Sequence, residues 1–558
     1  MKHYLFLFVV LLFCIVHAQK VDKNDQLREF ARMLEDFVKE PADLRFKPRD
    51  DSAPVNLTTV STSLGSIVGV EENGYRSFKG IPFAKPPIGN NRWSSPIPVE
   101  PWTDELQALE FVSACPQMQK AANSTPFITA PMSEDCLYLN IWAPINLPDG
   151  PVPVMVWFHG GSFWTGWGGD GLFWGDFMVN ITSNTIIVTT NYRLGALGFF
   201  NTPNLSGNYG FQDQQMALQW VQDHISSFGG DPSRVTIFGQ SAGAMSVTLH
   251  SLVPSSAGLF SRAIAESNPA GINYRTPEQN YPYTEKVSGL LNCSYTDTEC
   301  LRSKTWEEIV DAQAKGYMVE FPLTTLEFLP YAPIIDGTLI PEQPMELFRT
   351  NGVNSNVEAI VFGANRNESM AMFKRDLPIN AFVYKTMVEA FFTSNSSLVL
   401  DEYPASRTES NMNQFSVMSS DWVFLCASRF AASAFASSGT PTYFYNFLHV
   451  PSNDPINYVR IPCHSAVCHS AEISFVHNSV DFVPTGSYTP DERKLAWSFI
   501  NYWLDFAHGS VEANAFGPEW PQFNSTYVSL SLNLPEITTL TEYKANECNF
   551  WDNMGYYN

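Results

Sequence analysis

Basic residues are scarce in this chain: 33 lysines and arginines stand against 56 aspartates and glutamates, a formal net charge of −23 over 558 residues. A field of that sign repels phosphate backbones and anionic headgroups, so nucleic acid and acidic membrane surfaces are poor partners. Charge of either sign is low, at 16%, whereas hydrophobic residues reach 44% and aromatic ones 14%. Such a composition buries a large core and excludes general disorder. No internal repeat, low-complexity tract or second domain is found. Beyond the first twenty residues no apolar run reaches spanning length, and the terminal "CNFWDNMGYYN" carries neither a retention tetrapeptide nor a lipid-anchor tail. What remains is an exported, soluble protein acting on neutral molecules.

The start, "MKHYLFLFVVLLFCIVHAQK", has a basic residue, an apolar stretch from Tyr4 to Val16 and small residues before a cut after Ala18. Residues 1–18 read as a secretory signal peptide, with a signal anchor as the alternative. In the extension 19–55, Leu27, Phe30, Ala31, Leu34, Phe37 and Val38 share one helical stripe that Pro41 ends. This amphipathic helix is either a packing extension or a propeptide or partner-binding element. Residues 56–558 then form one large domain. Of nine cysteines, Cys14 leaves with the signal, and the even remainder suggests disulfides in an oxidising compartment. Sequons at Asn56, Asn123, Asn180, Asn204, Asn292, Asn367, Asn395 and Asn524 fit an exported glycoprotein.

From Asn56 short β-runs such as "SIVGV" give way to "VPVMVWF" (152–158) and "TIIVTTNY" (185–192), which lack alternation as strands covered on both faces should. A helical stretch follows at 212–228, then "RVTIF" (234–238), "EAIVFGAN" (358–365) and "TYFYNFLHV" (442–450). Strand, helix and strand in this order predict an α/β fold with a mostly parallel central sheet flanked by helices.

In "VTIFGQSAGAMS" (235–246) Ser241 stands where a strand turns into a small-residue helix. Gly239 and Gly243 allow a sharp turn that lifts the hydroxyl above the strand ends, at a helix N-terminus that favours developing negative charge. A structural serine in a glycine-rich turn is the plainer alternative. Upstream, "WFHGGSFWTG" follows the strand 152–158. Backbone N–H groups of Gly160 and Gly161, with that of Ala242, could stabilise the oxyanion of acyl transfer.

These stretches, with "FKGIPFAKPPIGNNRW" (78–93), "SEDCLYLNIWAP" (133–144), "NYRLGALGFF" (191–200), "APIIDG" (332–337) and "CNFWD" (548–552), make the chain similar to the type-B carboxylesterases and cholinesterases of the α/β-hydrolase fold. The resemblance covers the chain from about Asn56. It implies a Ser-Glu-His triad on Ser241, Glu368 in "GANRNES" and His469 in "AVCHSAEISFV", with His464 and His477 as competing bases. It also implies the pairs Cys115–Cys136, Cys293–Cys300 and Cys426–Cys548, and internal ion pairs Arg92–Glu134 and Arg193–Asp213. Cys463 and Cys468 are left over in "CHSAVCH", where a local disulfide or a zinc site is open; the disulfide fits an oxidising compartment better.

The family places Glu before its nucleophile, and this chain has Gln240; the loop between Cys115 and Cys136 holds no tryptophan. Both departures argue against choline esters, for want of a carboxylate and a cation–π surface near a cationic leaving group. Phe328, Leu329 and Tyr331 fall where relatives form an acyl pocket, and "MAMF" (370–373) is apolar too, which suggests medium acyl or aromatic esters. Ser267 matches a position that supports the catalytic network or is simply a core serine. The expectation is a secreted serine hydrolase cleaving small-molecule or lipid esters through an acyl-serine, with no metal, cofactor or stable membrane anchor. Catalytically weak binding, storage or adhesion proteins on the same fold, and an interfacial lipase with residues 115–136 as lid, are the alternatives.

Overall fold

A computed structural model describes residues 56–556 apart from 73, 119–129, 148–149, 183, 317–328, 351–352, 354–356, 373–378, 408–409, 458–460, 481–486 and 512–516. The signal peptide, the extension helix and Phe328 lie outside the described residues, as does most of the loop expected to act as a lid. Thirteen strands form one sheet: β1 (Asn56–Thr62), β2 (Gly65–Glu71), β3 (Tyr75–Pro82), β4 (Leu106–Gln107), β5 (Tyr138–Pro144), β6 (Val152–Phe158), β7 (Ile186–Thr190), β8 (Gly230–Gln240), β9 (Arg262–Glu266), β10 (Ala359–Asn365), β11 (Thr442–Phe447), β12 (Ser529–Leu532) and β13 (Thr538–Leu540). Their order is β1-β2-β3-β5-β7-β6-β8-β9-β10-β11-β12-β13, with β4 beside β2. From β7 to β12 every neighbouring pair is parallel. The outer strands β1, β2, β3, β5 and β13 pair antiparallel.

Why "VPVMVWF" lacks alternation is now visible. Val154, Val156 and Phe158 enter one core, and Met155 and Trp157 enter the other. Helices α1 (Tyr209–His224), α2 (Ala242–Leu252) and α3 (Cys426–Ser437) supply the first core. Helix α4 (Pro490–His508) covers the opposite face with Leu495, Phe499 and Trp503, each worth about 1.5–3 kcal/mol of burial. A capping box of Thr489 and Glu492 starts it. All four cysteine pairs, Cys115–Cys136, Cys293–Cys300, Cys426–Cys548 and Cys463–Cys468, are disulfides. The bidentate pair Arg193–Asp213 is buried and ties a loop to α1, and the bidentate pair Arg92–Glu134 is partly buried.

Just before α3 the chain takes one turn of π-helix, Ser420–Leu425, held from two sides. Cys426 is bonded to Cys548 in the helix α5 (Ala545–Met554), and Lys544 donates to Asp421 at 2.5 Å. Trp551 of α5 stacks on Trp422 of the π-turn at 5.9 Å. A single π-turn often marks a functional position.

Candidate active site

The nucleophile candidate sits where parallel strand register and backbone strain meet. Strand β8 ends at Gln240, Ser241 takes φ 59° and ψ −121°, and α2 begins at Ala242. For a residue with a Cβ this conformation costs on the order of 1–3 kcal/mol and persists only where neighbours impose it. Here the Ser241 N–H donates to the Glu266 carbonyl at 3.0 Å, and its own carbonyl accepts from the Met245 N–H at 2.9 Å. Gly239 and Gly243 let α2 lie directly on β6: a Cβ on Gly243 would stand 2.0 Å from the Phe158 carbonyl oxygen, and one on Gly239 2.6 Å from it.

The segment after β6 lies against this turn. A Cβ on Gly160 would meet Gln240 O at 2.6 Å and Ser241 Cβ at 3.1 Å. Its geometry is pinned by two residues that the sequence did not single out. The His159 Nδ1–H donates to the Gly160 carbonyl at 2.9 Å, while the ring stacks on Tyr192 at 4.4 Å. Tyr192 in turn donates its hydroxyl to the His159 carbonyl at 2.7 Å. Burial pushes His159 down to about 4, so the imidazole is neutral. In a planar trans peptide, anchoring the Gly160 carbonyl on His159 turns the Gly161 N–H the opposite way. The N–H groups of Gly160, Gly161 and Ala242 make no hydrogen bond to any described residue. Three N–H groups without a partner among the described residues thus lie on the segments that meet at the strained serine.

Acid and base candidates come from two loops laced together. Glu368 is fully buried just past the end of β10; its Oε1 accepts from the Asn365 N–H at 2.7 Å and its Oε2 from His469 Nδ1 at 2.6 Å. A carboxylate on Nδ1 fixes the proton there and leaves the Nε2 lone pair outward. The main chain repeats the link: the His469 N–H donates to Glu368 O at 3.2 Å and the Asn367 N–H to Val467 O at 2.9 Å. His464 is exposed, and His477 is enclosed by Trp157, Phe173 and Phe238, where burial pushes it down to about 3. Only His469 of the three is bonded to Glu368.

Phe424 of the π-turn packs against the His469 ring at 4.9 Å. Gln240 also faces the imidazole, its Nε2 lying 3.4 Å from Nδ1 and 3.3 Å from Nε2. Near-equal distances leave the amide nitrogen in line with neither ring nitrogen's lone pair. Ser470 Oγ donates to Gln240 Oε1 at 3.3 Å. Gln240, expected to line the substrate pocket, therefore packs on the base. Ser267 donates to Glu472, which is buried and pushed up by burial and the Glu368 carboxylate. Glu266, bonded to Trp503 Nε1 at 2.6 Å, is pushed well up by burial and by Glu472. Leu329 and Tyr331 are buried, Tyr331 edge-on to Trp164 at 5.2 Å, three residues beyond Gly161. Met370 and Ala371 pack on Cys463, Ala466 and Cys468.

The profile of the Carboxylesterase family matches residues 56–551. The chain belongs to that family. It is 33% identical over 514 residues to the "cAMP-regulated D2 protein" of Dictyostelium discoideum, covering 90% of this chain and 94% of the relative. Cocaine esterase of Homo sapiens is 32% identical over 539 residues, 91% of this chain and 92% of its own. Acetylcholinesterase of Bungarus fasciatus is 32% identical over 537 residues, 89% and 86% respectively. This member of the carboxylesterase family is a carboxylic ester hydrolase.

The sequon at Asn367 bears on the acid. The Asn367 side chain is half-buried and its Oδ1 accepts from the Val467 N–H at 3.2 Å, next to Glu368. In protein from a glycosylating host, glycopeptide mapping should find Asn367 bare, whereas exposed Asn56, Asn292 and Asn524 are open to modification. High occupancy at Asn367 would remove Glu368 as the acid.

Proposed function

We propose that this chain is a secreted serine esterase in which Ser241 attacks the ester carbonyl, His469 is the base and Glu368 its acid partner. Three free N–H groups around the strained Ser241 support the reading most directly, because acyl transfer needs donors already aimed where negative charge develops. Ser241 Oγ gives its proton to His469 Nε2 as the carbon–oxygen bond forms. Gly160, Gly161 and Ala242 N–H groups stabilise the oxyanion, and Glu368 stabilises the imidazolium. The imidazolium then protonates the leaving alcohol, and water repeats the sequence in reverse roles to release the acid. The chemistry uses side chains and backbone alone.

The direct test is labelling of the secreted protein with a fluorophosphonate probe beside hydrolysis of p-nitrophenyl esters of rising chain length. Labelling and turnover are expected, with the chain-length optimum sizing the space by Leu329 and Tyr331. A folded protein that neither labels nor turns over esters would instead be a binding or storage protein. A sharp rise in rate above the solubility limit of long-chain esters would favour the lipase reading.

Gln240 makes a pH prediction. A carboxylate beside the imidazole would favour its protonated form by Coulomb attraction. The neutral imidazole is the active base, so Gln240→Glu should move the acidic limb of the kcat/KM profile to higher pH. An unmoved limb would mean that residue 240 does not sense the charge on His469.

A further inference from the structure

Asn365, the last residue of β10, is 2% exposed and touches both halves of the acid–base pair. Its main-chain N–H holds Glu368 Oε1 at 2.7 Å, the oxygen that His469 does not use. Its side-chain Nδ2 donates to the Cys468 carbonyl at 2.9 Å and to Glu472 Oε2. Cys468 immediately precedes His469 and Glu472 follows it by three residues, so the amide grips the base-bearing loop on both sides of the imidazole. Both acceptors are oxygens, which fixes the amide orientation. The Oδ1 has no partner. The side chain thus acts wholly as a double donor, a task that neither aspartate nor an apolar residue of the same shape can do.

Resting on the assignment of Glu368 and His469 as acid and base, we infer that Asn365 is a positioning residue that sets the register of the base loop on the acid. Nothing else among the described residues combines a main-chain contact to Glu368 with side-chain contacts on both flanks of His469. Two hydrogen bonds of the acid–base loops are main-chain links, His469 to Glu368 and Asn367 to Val467, and these join the loops edge to edge. The Asn365 amide instead anchors the His469 segment to the rigid end of a central strand. Catalytic groups misplaced by about 1 Å lose on the order of 100-fold in rate, which is the scale expected when that anchor is removed.

Asn365→Leu and Asn365→Asp keep the size and remove the two donors. Each should lower kcat, and the rate of Ser241 phosphonylation per folded molecule, by about 100-fold while KM stays within about 2-fold, because the loss falls on the chemical step. Asn446→Leu is the matched control. Asn446 lies beside Ala364 on β11, is as buried, donates to Ser529 Oγ at 2.8 Å and also leaves Oδ1 without a partner. It should lower the melting temperature without lowering kcat. Asn365→Ser, smaller still, is the variant to use if the other two accumulate poorly, since phosphonylation is scored on whatever folded protein is recovered. Wild-type kcat in any folded Asn365 variant overturns the inference, as does an equal loss of kcat in Asn446→Leu. Failure of all three to accumulate while Asn446→Leu does so also overturns it, since Asn365 would then be a folding residue. Absence of probe labelling in the wild type would instead strike the esterase assignment itself.

Discussion

Ser241→Ala should lower kcat for p-nitrophenyl ester hydrolysis by roughly 10⁶-fold with KM little changed, and abolish fluorophosphonate labelling. His469→Ala should fall about as far, and the double variant no further than either single one, because nucleophile and base work as one unit. Glu368→Gln should be milder, by about 10⁴-fold, since an amide facing Nδ1 disfavours the required tautomer but leaves the nucleophile and base in place. The basis is the bond from Glu368 Oε2 to His469 Nδ1 at 2.6 Å and the strained turn that presents Ser241. Retention of a tenth of the activity by either alanine variant would refute the assignment.

Gly243→Ala is the second large effect, and it falls on folding rather than chemistry. The new methyl would lie 2.0 Å from the Phe158 carbonyl oxygen and 3.2 Å from the His159 carbonyl carbon. Both are main-chain atoms at the end of β6, where no side chain can rotate away. The strand and α2 would have to separate, at a cost of at least about 3 kcal/mol. Secretion should collapse, or the melting temperature fall steeply with loss of labelling. Gly289 gives the contrast: in the helix Pro277–Leu290 its Cβ would meet nothing within 4 Å. Gly289→Ala should be neutral or stabilising by about 0.4–1 kcal/mol. Equal stability of the Gly243→Ala and wild-type proteins would mean that β6 and α2 do not approach so closely.

Strands β6, β7, β8, β10 and β11 were legible because both sheet faces are covered, which gives each a mainly apolar stretch without alternation. The edges were not: β4 has two residues and β13 three, too short for any period to register. The π-turn was hidden as well, since "SDWVFL" reads like the flanking helices and its extra residue per turn is imposed by packing on α5. Ser241 could be argued from glycine spacing alone. Glu368 and His469 could not, because they lie 101 residues apart and nothing local ties them; family resemblance supplied both. His159, Tyr192, Phe424 and Asn365 were missed because their contacts are tertiary. For His159 a signal existed, an apolar strand running straight into His-Gly-Gly. The directions of Gln240, which faces the imidazole, and of Met370, which packs beside a disulfide, could not be read either, since side-chain direction at loop positions is set by neighbours remote in sequence.

The tether between the π-turn and α5 bears on the timing of synthesis. A ribosome makes the Ser241 turn first, then Glu368, then Phe424, then His469, and Cys548 last among the residues that secure this wall. Until Cys548 has emerged, Phe424 belongs to a turn with neither its covalent tie nor the Trp551 and Lys544 contacts that hold it. A nascent chain therefore carries Ser241, the proposed nucleophile, for more than half of the 558 residues before the contacts around Phe424 can be complete. The wall behind the proposed base is thus closed by residues more than a hundred positions away in sequence, so its assembly waits on the C-terminal helix.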